Sequence, residues 1–193
     1  MNFADAMNLG CACQTLETPR LQQQLETEPA LAGLTARLAE SHPHLFSRSA
    51  VFLDPGVMAQ ITDAVAALER VIALPAWQQQ ALDRAPQIAR LDHGPAGVFM
   101  GYDFHLADGG PRLIEINSNA GGALLNAALA RAHRACCEPF QQVFDPQDSL
   151  RQLDEVFVAM FRAEWRAQRC DAPLRSVLIV ADAPEAQYLA PEF

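Results

Sequence analysis

Apolar residues recur at helical spacing through the first half of the chain. Leucines follow this pattern over residues 20–40, where Pro29 interrupts them, so the stretch predicts two short helices. Asp54, with a proline directly after it, is typical of a helix start, and that helix is predicted to end near Leu74. A further short helix is predicted over residues 77–85.

The pattern changes to that of a β-hairpin after the turn residues 94–97. Two runs of large and branched apolar residues, 98–106 and 111–117, each have the length of a strand. The glycine-rich residues 107–110 join them. We therefore expect an antiparallel pair of strands here.

Helical spacing returns after the hairpin. Helices are predicted over residues 123–137 and from Asp145 to Trp165, the second with one well-packed side. Residues 176–181 are an unbroken apolar run, typical of a strand buried on both faces in a parallel sheet, and a helix start follows at residues 182–185. Because nothing after that run could supply neighbouring strands, we expect a domain whose remainder is missing.

The composition is that of a globular protein, with 193 residues of which 50% are hydrophobic and 19% charged. Its net charge of -9 disfavours a nucleic-acid or anionic-membrane surface, because neutralising phosphates requires a concentrated basic face. A small or metal-bridged partner suits this charge better. No apolar stretch reaches the roughly 20 residues that cross a bilayer, and the N-terminus lacks a secretory signal, so we expect a cytoplasmic protein.

The cysteines are odd in number and unevenly placed: Cys11, Cys13, Cys136, Cys137 and Cys170. This arrangement suits thiols in a reducing compartment better than a disulfide framework. A zinc site that adds His133 to Cys11, Cys13 and Cys136 is the alternative, although neither spacing is a standard ligand pair. A regulatory role for the adjacent pair Cys136 and Cys137 rests on adjacency alone.

Three side chains with oxygen donors lie on the predicted hairpin. Glu115 and Asn117 are two positions apart on the second strand and therefore share a face. Asp103 joins them if it pairs with Glu115 across a loop over residues 107–111, whereas a slip of one residue sends Asp103 to the opposite face. We favour the first register because it also gathers apolar side chains on the core side: Phe104, Ile114 and Ile116.

Hard oxygen ligands on a rigid ribbon suit Mg²⁺, which takes one or two carboxylates and completes its shell with water and substrate phosphates. Asp103, Glu115 and Asn117 therefore predict a magnesium site. The alternative is that they form only the polar face of a half-solvated hairpin.

The segment after the hairpin contains small residues directly before a helix start: Ser118, Asn119, Gly121 and Gly122. Closely spaced N–H groups at such a place carry partial positive charge and bind anions. They predict a phosphate-binding segment beside the metal. A plain strand-to-helix turn that needs glycine is the alternative.

The hairpin resembles that of a known family. GYDFHL at residues 101–106, LIEIN at residues 113–117 and AGG at residues 120–122 are similar to the metal-binding hairpin of circularly permuted ATP-grasp ligases. That group includes eukaryotic-type glutathione synthetase and the glutathionylspermidine and trypanothione synthetases. The interval of 12 positions from Asp103 to Glu115 resembles the corresponding interval in the glutathionylspermidine group. The resemblance covers about half of the chain, from residue 98 onward.

The resemblance implies ligation of a carboxylate to an amine: ATP phosphorylates the carboxylate, and the amine then displaces phosphate. It implies that Glu115 and Asn117 bind Mg²⁺ at the ATP phosphates, with Asp103 as a further ligand. It also implies that Ser118 and Asn119 lie near the acyl-phosphate or the acceptor substrate. No catalytic side chain is assigned, and thiol peptides, polyamines and amino acids are all compatible acceptors.

The chain departs from the family in two respects. Gly101 stands where an arginine usually reaches the phosphates, and the later lysine-bearing strands and glycine-rich lid are not present. We therefore expect this chain to be inactive alone and to bind little Mg-ATP. The expected fold is α+β, and α/β in the intact family. The expected divisions are a helical lobe over residues 1–97, the ATP-grasp-like hairpin and following helices over 98–170, and the start of a truncated Rossmann-like substrate domain over 171–193.

Two interpretations of function stay open. In the first, the chain is part of an ATP-grasp ligase whose partners are ATP and a small carboxylate or amine substrate, together with a second copy or a missing C-terminal half. In the second, it is a non-catalytic helical binding or scaffold domain that keeps the hairpin for structure only.

Overall fold

Helices and one β-hairpin form the described part of the computed structural model, which covers residues 2–10, 15–27, 29–133, 137–138 and 152–192. The helices are α1 (Phe3–Gly10), α2 (Thr18–Leu25), α3 (Leu34–Ser41), α4 (Pro55–Ile72), α5 (Pro75–Arg84), α6 (Ala123–Ala132) and α7 (Leu153–Arg169). The strands β1 (Gly101–Ala107) and β2 (Gly110–Asn117) are antiparallel. This agrees with the expected α+β class. No helix in the described ranges has the length and apolarity needed to cross a bilayer.

The first helices begin and end where proline and capping residues predict. A short 3-10 turn starts at Pro29, the predicted break, and separates α2 from α3. At the start of α4, the Asp54 side chain accepts a hydrogen bond from the N–H of Gly56 at 2.8 Å. This helix ends just before Leu74, and α5 begins at Pro75 because proline fits the first turn of a helix. The break at Pro29, the Asp54 cap and the end of α4 are confirmed, whereas α5 begins two residues before the predicted start at residue 77.

The buried core lies between α2, α3 and α6. Its members are leucines together with small residues of α6: Leu16, Leu21, Leu25, Leu34, Leu38, Leu125, Ala128 and Ala132. Ala132 is 0% exposed, and its small side chain allows α2 to approach α6 closely. The guanidinium of Arg20 on α2 also donates to the carbonyl of Arg131 at 3.1 Å. Burial of these side chains is the main favourable contribution to folding of this lobe.

The remaining elements are less buried. Helices α4, α5 and α7 contain no fully buried residue, and neither does the hairpin. The prediction that one side of α7 is well packed is wrong, because no residue of this helix is buried. Phe99 makes edge-to-face contacts with Phe157 and Phe161, with ring centroids 5.3 and 5.8 Å apart, and Phe161 is 40% exposed. The predicted start of that helix, residues 145–151, lies outside the described residues, as do residues 134–136 at the predicted end of α6.

Residues 176–181 do not form the predicted strand. They have no strand partner in the described part of the chain, and Leu178 and Val180 are 84% and 83% exposed. A run that is apolar on both faces requires strands at its edges and helices over its faces, and the described residues offer neither. Short 3-10 turns, Pro184–Ala186 and Ala190–Glu192, stand where a helix start was predicted.

Candidate functional site

The hairpin has the register that brings the three oxygen donors to one face. Asp103 pairs with Glu115, and Tyr102 pairs with Ile116. Because successive side chains of a strand point to opposite faces, Asp103, Glu115 and Asn117 lie on one face and Tyr102 and Ile116 on the other. This is the register that we favoured from the sequence.

The turn is shorter than predicted, and a β-bulge compensates for the difference. Strand pairing continues to Ala107, so the turn holds two residues instead of the predicted loop over residues 107–111. Phe104 pairs with Leu113, which leaves Ile114 as the extra residue of the bulge. Leu113 therefore takes the place beside Phe104 that was predicted for Ile114. The expectation that Ile114 lies on the core side is wrong, because this side chain is 65% exposed.

The other face of the hairpin packs against α4. The Tyr102 hydroxyl donates a hydrogen bond to the Glu69 carboxylate of α4, and this bond raises the pKa of Tyr102, because the ionised phenol would lose it. With α4 on that side, the face that carries the oxygen donors is open. The side chains of Asp103, Glu115 and Asn117 are all exposed and accessible to a ligand.

The donor set, which consists of Asp103, Glu115 and Asn117, has oxygen ligands of the kind that divalent cations prefer. The Nδ2 of Asn117 donates to Oε1 of Glu115 at 2.9 Å, so the amide would have to turn over to present its oxygen to a metal. Among the described residues, no group of three or more His, Cys, Asp or Glu side chains is suited to hold a metal ion. A site here would therefore consist of two carboxylates and one amide oxygen, with water or phosphate in the remaining positions, a combination that suits Mg²⁺.

The segment after β2 folds back over the end of the hairpin. The N–H of Ala120 donates to the carbonyl of Phe99 at 3.1 Å. A Cβ on Gly101 would lie 3.1 Å from the Cβ of Ala120, which is tighter than most such contacts. A side chain at this position would require Ala120 to shift by a few tenths of an ångström, whereas glycine fits without any shift. Ser118 and Asn119 are exposed at the same end of the hairpin as the donor set.

A carboxylate occupies the N-terminus of α6, where the sequence predicted an anion. Glu192 accepts hydrogen bonds from the N–H groups of Gly122 and Leu124, the second at 2.7 Å. Gly122 has a φ of 89°, a conformation that favours glycine, and a Cβ on Gly121 would lie 2.8 Å from the side chain of Leu189. Sequence reasoning missed Glu192 because its partners lie about 70 positions earlier and no local motif connects them.

The zinc and thiol alternatives fall mainly on residues that the structure does not describe. Cys11, Cys13 and Cys136 lie outside the described residues. The Nδ1 of His133 lies 2.6 Å from the Thr15 hydroxyl, in hydrogen-bond contact. Burial lowers the pKa of His133, because the interior disfavours its charged form. His133 therefore has a structural partner that joins the residues before α2 to the end of α6.

No known protein family, curated protein or solved structure matches this chain.

Proposed function

We propose that this chain is part of an ATP-dependent carboxylate–amine ligase, in which the hairpin holds Mg²⁺ at the phosphates of ATP. The observation that carries this proposal is the pairing of Asp103 with Glu115, which places two carboxylates and the Asn117 amide on one open face. Carboxylates on one face repel one another, and a cation between them relieves the repulsion. The resemblance to permuted ATP-grasp ligases supports the same interpretation.

The residues of this chain would act by binding and orienting. Asp103, Glu115 and Asn117 would hold the cation, and the N–H groups at the start of α6 would donate hydrogen bonds to phosphate oxygens, as they now donate to the Glu192 carboxylate. When bound, Mg²⁺ neutralises negative charge on the phosphates and on the transferred phosphoryl group. Completing the ligation requires nucleotide-binding parts beyond these residues, so we expect no product from this chain alone.

A second candidate function has a specific observation in its favour. Glu115 already accepts a hydrogen bond from Asn117, and the first amides of α6 already have Glu192 as their acceptor. These polar groups therefore have protein partners without any metal or phosphate. A scaffold domain that keeps the hairpin for structure would show this arrangement. In that case the Glu115→Gln variant would have the same free energy of unfolding with and without magnesium and nucleotide.

Replacing one donor tests the metal site directly. We expect Mn²⁺, used as a paramagnetic substitute for Mg²⁺, to bind the chain with a Kd on the order of 1 mM, since the site is open and supplies few protein ligands. Asp103→Asn should weaken this binding about tenfold, because it removes one of two carboxylates from the cation. Selective broadening of the amide NMR signals of Glu115 and Asn117 would measure it.

Asp108→Asn is the matched control, because it makes the same change of charge in the exposed turn of the same hairpin. This variant should bind Mn²⁺ like the unmodified chain. Equal broadening in all three proteins, or broadening centred away from β2, would refute the metal site.

A second variant tests whether the N–H groups at the start of α6 can bind phosphate. Glu192→Gln removes the negative charge now bound to the Gly122 and Leu124 amides. An incoming anion then competes with a weaker, neutral acceptor. We expect pyrophosphate without any metal to bind this variant about tenfold more tightly than the unmodified chain, as measured by calorimetry.

Glu185→Gln is the control, because Glu185 is an exposed acid in the same C-terminal segment. It should leave pyrophosphate affinity unchanged. If both variants bind pyrophosphate with the same increased affinity, general charge repulsion explains the increase. The start of α6 is then only a capped helix terminus.

A further inference from the structure

A cavity of about 210 Å³ lies beside the core, away from the hairpin. It is enclosed by α2, α3 and residues 42–48, and it opens to solvent. Its apolar wall is formed by Leu16, Leu21, Leu25, Leu38 and Phe46. The cavity contacts neither the oxygen donors of the hairpin nor the first turn of α6. It is therefore separate from the candidate site on the hairpin and at the start of α6.

One polar atom in the wall is buried without a hydrogen bond of regular geometry among the described residues. It is the hydroxyl of Thr35, which is shielded from solvent. The Glu26 carboxylate lies beside it, and Thr35 lowers the pKa of that carboxyl, mainly through its backbone N–H and also through its side chain. The backbone N–H of Thr35 donates to this carboxylate at 3.0 Å. A buried hydroxyl without a partner costs free energy, and a polar group on a bound molecule could satisfy it.

The residues that line the cavity include basic side chains and no acidic one, unlike the chain as a whole. Arg48 and His42 are the ionisable residues of the lining, which contains no carboxylate, whereas the chain has 23 acidic and 14 basic residues. His42 is held in place, with Nδ1 2.7 Å from the Ser41 hydroxyl and its ring 5.0 Å from that of Tyr188. No acidic side chain forms an ion pair with Arg48 in the described residues. An anion would therefore find a free guanidinium at this cavity.

We propose that this cavity binds a small apolar molecule that ends in a carboxylate. The apolar part would lie against the leucines, and the carboxylate would pair with the Arg48 guanidinium, whose planar donors match its two oxygens. An apolar cavity of about 150 Å³ holds benzene, so this one accommodates a ligand of about eight non-hydrogen atoms. Longer chains would extend into solvent.

Hexanoate and 1-hexanol are suitable probes because they share the apolar chain and differ in charge. We expect hexanoate to bind with a Kd of about 1 mM and hexanol about tenfold more weakly. The amide NMR signals of Leu16, Thr35 and Phe46 should shift in a saturable manner with hexanoate. Shifts confined to other residues, or equal affinity for the two probes, would overturn the proposal.

Variants of exposed residues test the two parts of the site without disturbing the core. Arg48→Gln should weaken hexanoate binding about tenfold and leave hexanol binding unchanged. Arg37→Gln, on α3 but outside the lining, should change the affinity for neither probe. Ala39→Trp, at an exposed position of the lining, should block both probes. Undiminished hexanoate binding in Arg48→Gln or in Ala39→Trp would refute the site. None of these results bears on the metal hairpin, which is tested separately.

Discussion

Leu125→Ala is expected to lower the free energy of unfolding by about 2–5 kcal/mol. Leu125 is 7% exposed and belongs to the cluster in which α6 packs against α2 and α3. Truncating it removes apolar contacts and leaves a cavity that its neighbours can fill only in part. Urea denaturation followed by circular dichroism would measure the loss as a lower transition midpoint with an unchanged slope.

Leu9→Ala provides the control, because the same truncation in α1 affects a side chain that is 81% exposed. We expect a change of less than about 0.5 kcal/mol there. Similar losses in both variants would mean that α6 is not part of a packed core. The outcome matters for the candidate site, since the core fixes the helix whose first amides bind Glu192.

Gly94→Ala is the second substitution for which we expect a large effect, about 2–4 kcal/mol of lost stability. Gly94 has a φ of 93°, and a Cβ there would lie 2.6 Å from the backbone oxygen of Ala167 in α7. Two costs therefore add: a left-handed backbone that alanine rarely adopts, and a clash with backbone atoms that cannot simply rotate away. Thermal or urea unfolding would measure their sum.

Gly97→Ala separates the two costs. Gly97 has a φ of 117°, but a Cβ there would meet no atom within 4 Å. This variant should therefore lose only the conformational part, about 1–2 kcal/mol. If Gly94→Ala lost no more stability than Gly97→Ala, α7 would not lie in close contact with the segment before the hairpin.

The β-bulge at Ile114 decides whether the donor set can form. If regular pairing continued from the turn, with Ala107 opposite Gly110, Asp103 would face Ile114 and point away from Glu115. The extra residue shifts the pairing by one position and returns Asp103 to the face of Glu115. The candidate metal site thus depends on one irregular residue, in keeping with the frequent occurrence of bulges beside functional groups.

Features set by neighbouring residues could be predicted from the sequence alone. The break at Pro29 and the start of α4 follow from the missing N–H of proline and from the Asp54 carboxylate, which accepts a hydrogen bond from the N–H of Gly56. The shared face of Glu115 and Asn117 follows from the two-residue repeat of a strand.

Features that depend on distant parts of the chain were decided only by the tertiary structure. Glu192 reaches Gly122 across 70 positions, and segments that are separate in sequence enclose the cavity beside α2 and α3. The run at residues 176–181 has the composition of a buried strand, but no strand of the described ranges pairs with it. Capping and strand alternation act between adjacent residues, whereas strand pairing, burial and long-range hydrogen bonds depend on which surfaces meet after the chain folds.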